Sequence, residues 1–215
     1  MTPLISVHVA KAGGSSMLRM LKIAYGDSFL ADYSDDPANP LGQRVLDPDL
    51  YLRRKEYFPK NISCIHGHFH PGKYDIRDGT VLSTILRHPI DNIISIFFFW
   101  KTLDKQGNKL HDYFIDNQLT IGEMARLPLL RRLYSKTYFE GFDMGRFDLI
   151  GRHDSREAAL KRLSDLIGTS LDITIRENVT EASEERREME SNLAFQRELE
   201  DILADDIKFY ERFAR

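Results

Sequence analysis

The chain has 215 residues, 42% apolar, 29% charged and 11% aromatic, with a formal net charge of −3. That length suits one α/β domain with a substantial core and leaves a second cramped, and the composition excludes an intrinsically disordered chain. Lysines and arginines sit singly beside turns while acids crowd 27–49 and 181–206, so no connected basic face for nucleic acid is expected, and the lone Cys64 excludes an intramolecular disulfide.

Leu4 to Val9 is a β-rich apolar run that empties into Lys11-Ala12-Gly13-Gly14-Ser15-Ser16, and Met17, Leu18, Leu21 and Ala24 follow at helical spacing up to Gly26. This predicts strand, tight loop, helix. From Asp27 to Pro59 the sequence turns polar with few core positions; "SDDPANP" reads as a loop and "DPDLYLRRKEY" as a short helix. Ile62 to Ile65 predicts a short buried strand running into the histidine-rich turn "HGHFHPG", and "TVLSTILRHP" a second strand ending at Arg87.

Pro89 and Asp91 suit the first turn of a helix carrying Ile90, Ile93, Ile94, Phe97 and Phe98. Between 109 and 140 two or three short helices are expected, with Pro128 as a break and a capping box from Thr120 to Glu123. "RFDLIGRHD" predicts another strand, Asp154 and Glu157 a second capping box, and Ala159, Leu160, Leu163 and Ile167 a helix ending at Gly168. "DITIREN" reads as a late strand or extended segment. The last thirty or so residues read as one charged helix with Leu199, Leu203, Ile207 and Tyr210 as its apolar stripe.

Strands alternating with helices predict an α/β fold with a mostly parallel central sheet flanked by helices, and ligands outside the carboxyl ends of the strands. The N-terminal "MTPLISVHV" has no charged leader, and the longest apolar run, Ile93 to Trp100, is too short to span a bilayer. Cytoplasmic residence without membrane insertion is the expectation. Oligomeric state is not legible.

A strand, paired glycines and a helix N-terminus make an anion site of the phosphate-cradling kind, with Ser15 and Ser16 to cap the helix or bond phosphate oxygens and Lys11 to add an ammonium. The bland alternative is an ordinary strand-to-helix turn. In the nucleotide triphosphate loop GxxxxGK[ST] the lysine follows the glycines and a hydroxyl then holds magnesium; here Lys11 precedes them, which disfavours a Walker-type kinase or ATPase. "HVAKAGGSS" resembles the 5′-phosphosulfate loop of sulfotransferases that use 3′-phosphoadenosine 5′-phosphosulfate (PAPS), in the form found in the carbohydrate branch, the heparan sulfate 2-O/6-O-like enzymes. Ala10 stands where that pattern has proline.

That family pairs the loop with a strand ending in arginine and a helix serine eight residues later, which together grip a 3′-phosphate. "STILRHPIDNIISIFFF" supplies Arg87 and Ser95 at that separation, with His88 and Asn92 where the pattern has aspartate and arginine. Arginine can meet phosphate bidentately, although taken alone Arg87 reads as a strand-end residue paired with a carboxylate. "HGHFHPGKY" is similar to the family's HGH segment, where a histidine acts as general base on the acceptor hydroxyl. His68 is the first candidate, ahead of His66 and then His70. A metal cluster is a rival for three histidines, but Gly67 and Pro71 suggest a turn that parts His66 from His68, and no HExxH or carboxylate triad accompanies them.

"FDLIGRHD" is similar to a late strand of the family, and "RENVTEASEE" resembles the loop before its closing helix. Glycosylation sequons at Asn61 and Asn178 are expected to be silent without an export signal. The resemblance implies a P-loop-like three-layer fold, a single sulfotransferase domain over 1–215, and metal-free transfer of a sulfuryl group from PAPS to a hydroxyl of a carbohydrate or similar acceptor. In that scheme Lys11 stabilises the leaving group, the loop from Lys11 and Ala12 through Gly13, Gly14, Ser15 and Ser16 holds the 5′-phosphate, and Arg87 and Ser95 hold the 3′-phosphate. His68 or His66 takes the proton. An ATP-dependent phosphotransferase and a non-catalytic nucleotide-binding module stay open, and Trp100, Tyr113, Phe114, Tyr134 and Tyr138 are candidates either for stacking on sugar rings or for the core.

Overall fold

A computed structural model describes residues 1–35, 42–105, 107–176 and 183–215. In chain order its elements begin with β1 (Leu4–His8), α1 (Gly14–Tyr25), β2 (Phe29–Asp32), α2 (Gln43–Leu46), α3 (Pro48–Arg53), β3 (Cys64–Gly67) and β4 (Val81–Leu86). They continue with α4 (Pro89–Lys101), α5 (Lys109–Asp116), α6 (Ile121–Ala125), α7 (Pro128–Arg131), a turn of π-helix (Leu133–Tyr138) and β5 (Leu149–Arg152). The chain closes with α8 (Arg156–Ile167), α9 (Glu184–Ser191), α10 (Leu193–Ile202) and α11 (Ala204–Phe213).

The strands pair in the order β2-β3-β1-β4-β5, every neighbour parallel, with Leu4 of β1 opposite Cys64 on one side and Val81 on the other. Successive residues of a strand point to opposite faces, and both faces of this sheet are covered. Leu4, Cys64, Val81 and Leu149 pack with Met17 and Leu21 of α1 and Leu160 and Leu163 of α8. Ile5, Ile65, Leu82 and Leu86 face the other way, against Ile93 and Ile94 of α4, Met124 of α6 and Leu199 of α10. The fold is therefore a three-layer, P-loop-like α/β sandwich, and the loops that follow β1, β3, β4 and β5 all emerge at one edge.

Several local expectations change. β2 lies in the stretch read as merely polar, and β3 starts two residues later than expected and runs through Gly67, so His66 is inside the strand. Pro128 is the first residue of α7 instead of a break, its fixed φ being suited to that position. Asp154 makes no cap for α8; Arg152 holds it at 2.6 Å, and its oxygen accepts from Ser155 Oγ. "DITIREN" is not a strand among its described residues, because Asp172 Oδ1 accepts from Thr174 N and Oγ1 and closes a turn.

The single C-terminal helix is three, since Asn192 Oδ1 accepts from Ala194 N and Phe195 N at 3.1 Å each and restarts the helix. Most of "SDDPANP" and "RENVTEASEE", with the Asn178 sequon, lies outside the described residues. Among those described, no helix is long and apolar enough to cross a membrane.

Candidate active site

After β1 the chain turns through two left-handed residues, Lys11 at φ 60 and Gly13 at φ 86. Glycine meets that demand at Gly13 without cost; at Lys11 a residue with a side chain is held in a sparsely populated conformation. Ala12 is buried and its N–H donates to Val9 O at 3.2 Å, so that amide is spent on the turn. Gly14 has a different reason to be glycine: a Cβ there would lie 1.7 Å from Nε2 of His8. The His8 ring thus occupies the space a side chain would take at the start of α1.

Lys11, Gly13, Gly14, Ser15 and Ser16 line a cleft of about 1090 Å³ together with Arg87, Ser95 and His68. Arg87 stands one residue beyond β4 and Ser95 two turns into α4, as their separation requires. Among the described residues no carboxylate is ion-paired with either Lys11 or Arg87, so the strand-end salt bridge expected of an ordinary arginine is not made there. Burial, then the nearby Arg87 and Arg186, pull the Lys11 ammonium below its usual pKa. Burial likewise lowers that of Arg87, with Asp91 opposing it. Cations that repel one another inside a cleft destabilise the folded chain unless an anion joins them.

The two residues that depart from the family pattern have structural roles. Asn92 Nδ2 donates to Ala10 O at 2.8 Å, tying α4 to the loop. His88 meets Tyr210 edge-on at 5.4 Å. His153, which follows β5, completes the rim: it donates its backbone N–H to Leu86 O, and its Cδ2 would sit 3.5 Å from a Cβ at Gly13.

The histidines form a stack that the expected turn would have prevented. Ser6 and His66 are register partners on adjacent strands, and because β3 continues through Gly67, alternation carries His66 and His68 to the same side as His8. The His8 ring lies over His68 at 4.3 Å between centroids and over His66 at 5.3 Å, with interplanar angles of 21° and 11°. Near-parallel rings hold their nitrogens in parallel planes instead of converging on a point, and among the described residues no set of three His, Cys, Asp or Glu is arranged for a metal.

The three have different surroundings. His66 is fully buried behind His8, bonds Ser6 Oγ at 2.9 Å, does not line the cleft, and is pushed down to about 3 by burial and by His68. His70 is also buried, its Nδ1 accepting from Gly72 N and its Nε2 lying 3.0 Å from Glu140 O; burial lowers its pKa to about 4. His68 lines the cleft, and its Nδ1 lies 2.6 Å from the carbonyl of His8 and 2.9 Å from the hydroxyl of Tyr138. A carbonyl only accepts, so Nδ1 carries the hydrogen and, in the neutral ring, Nε2 carries the lone pair.

A second layer holds these groups. The π-helical turn carries Tyr134 and Tyr138 four residues apart, and while Tyr138 reaches His68, Tyr134 OH donates to Arg87 O at 2.6 Å. Buried Asp206 on α11 pins the turn by accepting from Tyr134 N, Ser135 N and Ser135 Oγ. On the other side, Asp32 at the end of β2 accepts from Lys73 Nζ at 2.6 Å and Tyr74 OH at 2.8 Å, anchoring the loop that follows His70. Burial alone would raise the Asp32 pKa, and these donors with Ser34 hold it down.

Of the residues anticipated from sequence, Lys11, Gly13, Gly14, Ser15, Ser16, Arg87, Ser95 and His68 share the cleft, while Ala12 and His66 do not face it. Of the aromatic candidates Trp100 and Tyr138 line it, Tyr134 and Phe114 are core, and Tyr113 is exposed. His8, Tyr33, His153, Arg156 and Arg186 also line it without having been singled out. His8 was visible as the first letter of the loop motif, and the Tyr134/Tyr138 pair as aromatic residues at helical spacing.

No family model matches this sequence, and no curated protein matches it. Solved structures to which the chain is similar include a sulfotransferase from Alicyclobacillus acidocaldarius, at 15% identity and a TM-score of 0.41 over 95% of this chain and 96% of that one. Mouse sulfotransferase SULT7A1 complexed with PAP is another, at 14% identity and a TM-score of 0.39 over 80% of this chain and 60% of that one.

Proposed function

We propose that this protein is a sulfotransferase that moves a sulfuryl group from PAPS to the hydroxyl of an acceptor. The observation that carries the reading is a meeting of groups in one cleft at the carboxyl edge of a parallel sheet. Two cations with no carboxylate paired to them among the described residues stand there beside a glycine-rich helix start and a histidine of defined tautomer. The donor set suits PAPS: Gly13 to Ser16 with Lys11 would hold its 5′-phosphate, and Arg87 with Ser95 its 3′-phosphate. When bound, PAPS supplies an activated sulfuryl group.

The chemistry asked of this chain is orientation, charge stabilisation and proton removal, as in phosphoryl transfer. Nε2 of His68 takes the proton of the acceptor hydroxyl while its oxygen bonds sulfur; general-base assistance of this kind contributes about 10²–10⁴-fold. The charge left on the departing phosphate oxygen is met by the Lys11 ammonium. The protonated His68 keeps its Nδ1 donor on His8 O, so it is stabilised without turning. His66, buried and held neutral, supports the stack and replaces His68 in no step. A carbohydrate hydroxyl is the acceptor that the sequence resemblance offers.

A thermal-shift measurement in chelator compares adenosine 3′,5′-bisphosphate (PAP, the product nucleotide) with ATP. Stabilisation by PAP without metal is the expected result. Stabilisation by ATP only when magnesium is present would favour a phosphotransferase instead.

A further inference from the structure

The cleft is divided by chemistry. On one side stand Lys11, Arg87 and Arg156, the last with its Nη1 buried and without a hydrogen-bond partner among the described residues. On the other, the C-terminal half of α4 with Leu103, α7 and the π-helical turn contribute Ile96, Phe99, Trp100, Leu103, Leu130 and Leu133. Two polar atoms on this second wall are already engaged. Asn108 Oδ1 accepts from Leu110 N and His111 N, and His111 Nε2 lies 3.0 Å from Trp100 O. Lys11 stands at the boundary, its ammonium 4.1 Å above the Phe99 ring. Tyr138 ties the apolar wall to the base, since it shares the π-helical turn with Leu133 and bonds His68. A volume of about 1090 Å³ stands at the upper end of the roughly 300–1,000 Å³ usual for a ligand site.

Building on the sulfuryl-transfer reading, we infer that the acceptor is a neutral alcohol with an apolar body, lodged against Phe99, Trp100, Leu103 and Leu133 with its hydroxyl toward His68. Apart from Lys11 over Phe99, the further cations of the cleft, Arg176 and Arg186, are paired with Glu157 and Glu190 at 2.9 and 2.8 Å, so a sulfated or carboxylated glycan would find few open charges for its anions, and the many hydroxyls of a neutral sugar would lie against apolar side chains; both leave polar groups desolvated and unpaired. An alkyl or aryl body gains by burial instead. The acceptor O–H proton passes to His68, the oxygen–sulfur bond forms as the sulfur–phosphate oxygen bond breaks, and a sulfate monoester leaves with PAP.

Trp100 is the chain's one tryptophan, so its fluorescence reports directly on this wall. Primary alcohols from butanol to octanol are titrated into the protein, alone and saturated with PAP, and a heparin-derived tetrasaccharide is run beside them. The expected result is an alcohol Kd that falls about fourfold per added methylene and no response to the tetrasaccharide. Leu103→Asn should weaken octanol several-fold and leave the calorimetric Kd of PAP unchanged, which also certifies the fold. With PAPS present, octyl sulfate should appear by mass spectrometry. PAP binding with no chain-length trend, or with tighter binding of the tetrasaccharide than of octanol, overturns the apolar acceptor and leaves sulfuryl transfer standing. Octanol binding without PAP binding overturns the sulfuryl-transfer reading and the acceptor role with it.

Discussion

The backbone carbonyl of His8 lies 2.6 Å from Nδ1 of His68, so the residue that opens the glycine loop also sets the tautomer of the cleft histidine. A side chain at position 8 can change without removing that carbonyl, but the ring it stacks on is His68 itself. His68→Ala and Lys11→Ala should each lower turnover by two or more orders of magnitude with circular dichroism unchanged. A parental rate in either variant removes that residue from the mechanism.

Tyr138 shares the Nδ1 hydrogen of His68 with the carbonyl, at 2.9 Å. Tyr138→Phe deletes one hydrogen bond from a pair, a loss of about 0.5–1.5 kcal/mol or up to roughly tenfold. The expected signature is a lower kcat with KM unchanged and a displaced acid limb in the pH–rate profile. A change in KM alone would mean that the ring serves only to wall the cleft.

Arg87 and Ser95 should differ in weight. Removing a guanidinium from a charge-assisted contact costs about 1.5–3 kcal/mol, so Arg87→Ala should weaken PAP by roughly 10- to 100-fold in calorimetry, while Ser95→Ala should cost less than about tenfold. Equal affinity of Arg87→Ala and the parent protein shows that the arginine does not bind the nucleotide.

Two glycines beside α1 offer a contrast. At Gly26 an added Cβ would meet no atom within 4 Å and only the backbone, at φ 52 and ψ −126, opposes alanine, so Gly26→Ala should cost about 1–3 kcal/mol. At Gly14 the methyl would enter the His8 ring, and Gly14→Ala should lower the midpoint of thermal unfolding further and abolish activity by displacing the stack. Similar losses for both would show that the His8 ring yields easily.

Stability should fall on mild acidification. His66 and His70 have folded-state pKa values depressed to about 3 and about 4 by burial, against 6.5 in the unfolded chain. Below pH 6.5 the unfolded chain therefore binds protons that the folded one refuses; the stabilisation is full above that pH and lost on the way down. At about pH 5 each histidine costs about 2 kcal/mol, and chemical denaturation at about pH 7 and pH 5 should differ accordingly. Equal midpoints would show that one or both rings are protonated in the native state.

What the sequence revealed was local. The glycines, lysine and serines after β1 carry their meaning within a few residues, and Arg87 with Ser95 needs only a strand end and two turns of helix. The histidine stack depends on Ser6 and His66 being register partners 60 residues apart, which no short window contains. β2 escapes a sequence reading because its polar end is satisfied from afar, Asp32 by Lys73 and Tyr74. The anchoring of the π-helical turn by Asp206 lies just as far beyond sequence neighbours, which is why Tyr138 reads from sequence only as an aromatic that stacks or fills the core.

Asn92 gives the cleft a fixed gauge. By bonding Ala10 O from the first turn of α4, this one amide ties the Lys11 loop to the Arg87–Ser95 segment as two sides of one jaw. Such a jaw measures the spacing between the charges of whatever enters it: a ligand whose anionic groups match the gap engages both ends at once, and one whose charges are bunched together must leave one end unanswered. Exchanging Asn92 would alter that ruler while leaving the number and kind of charges in the cleft unchanged.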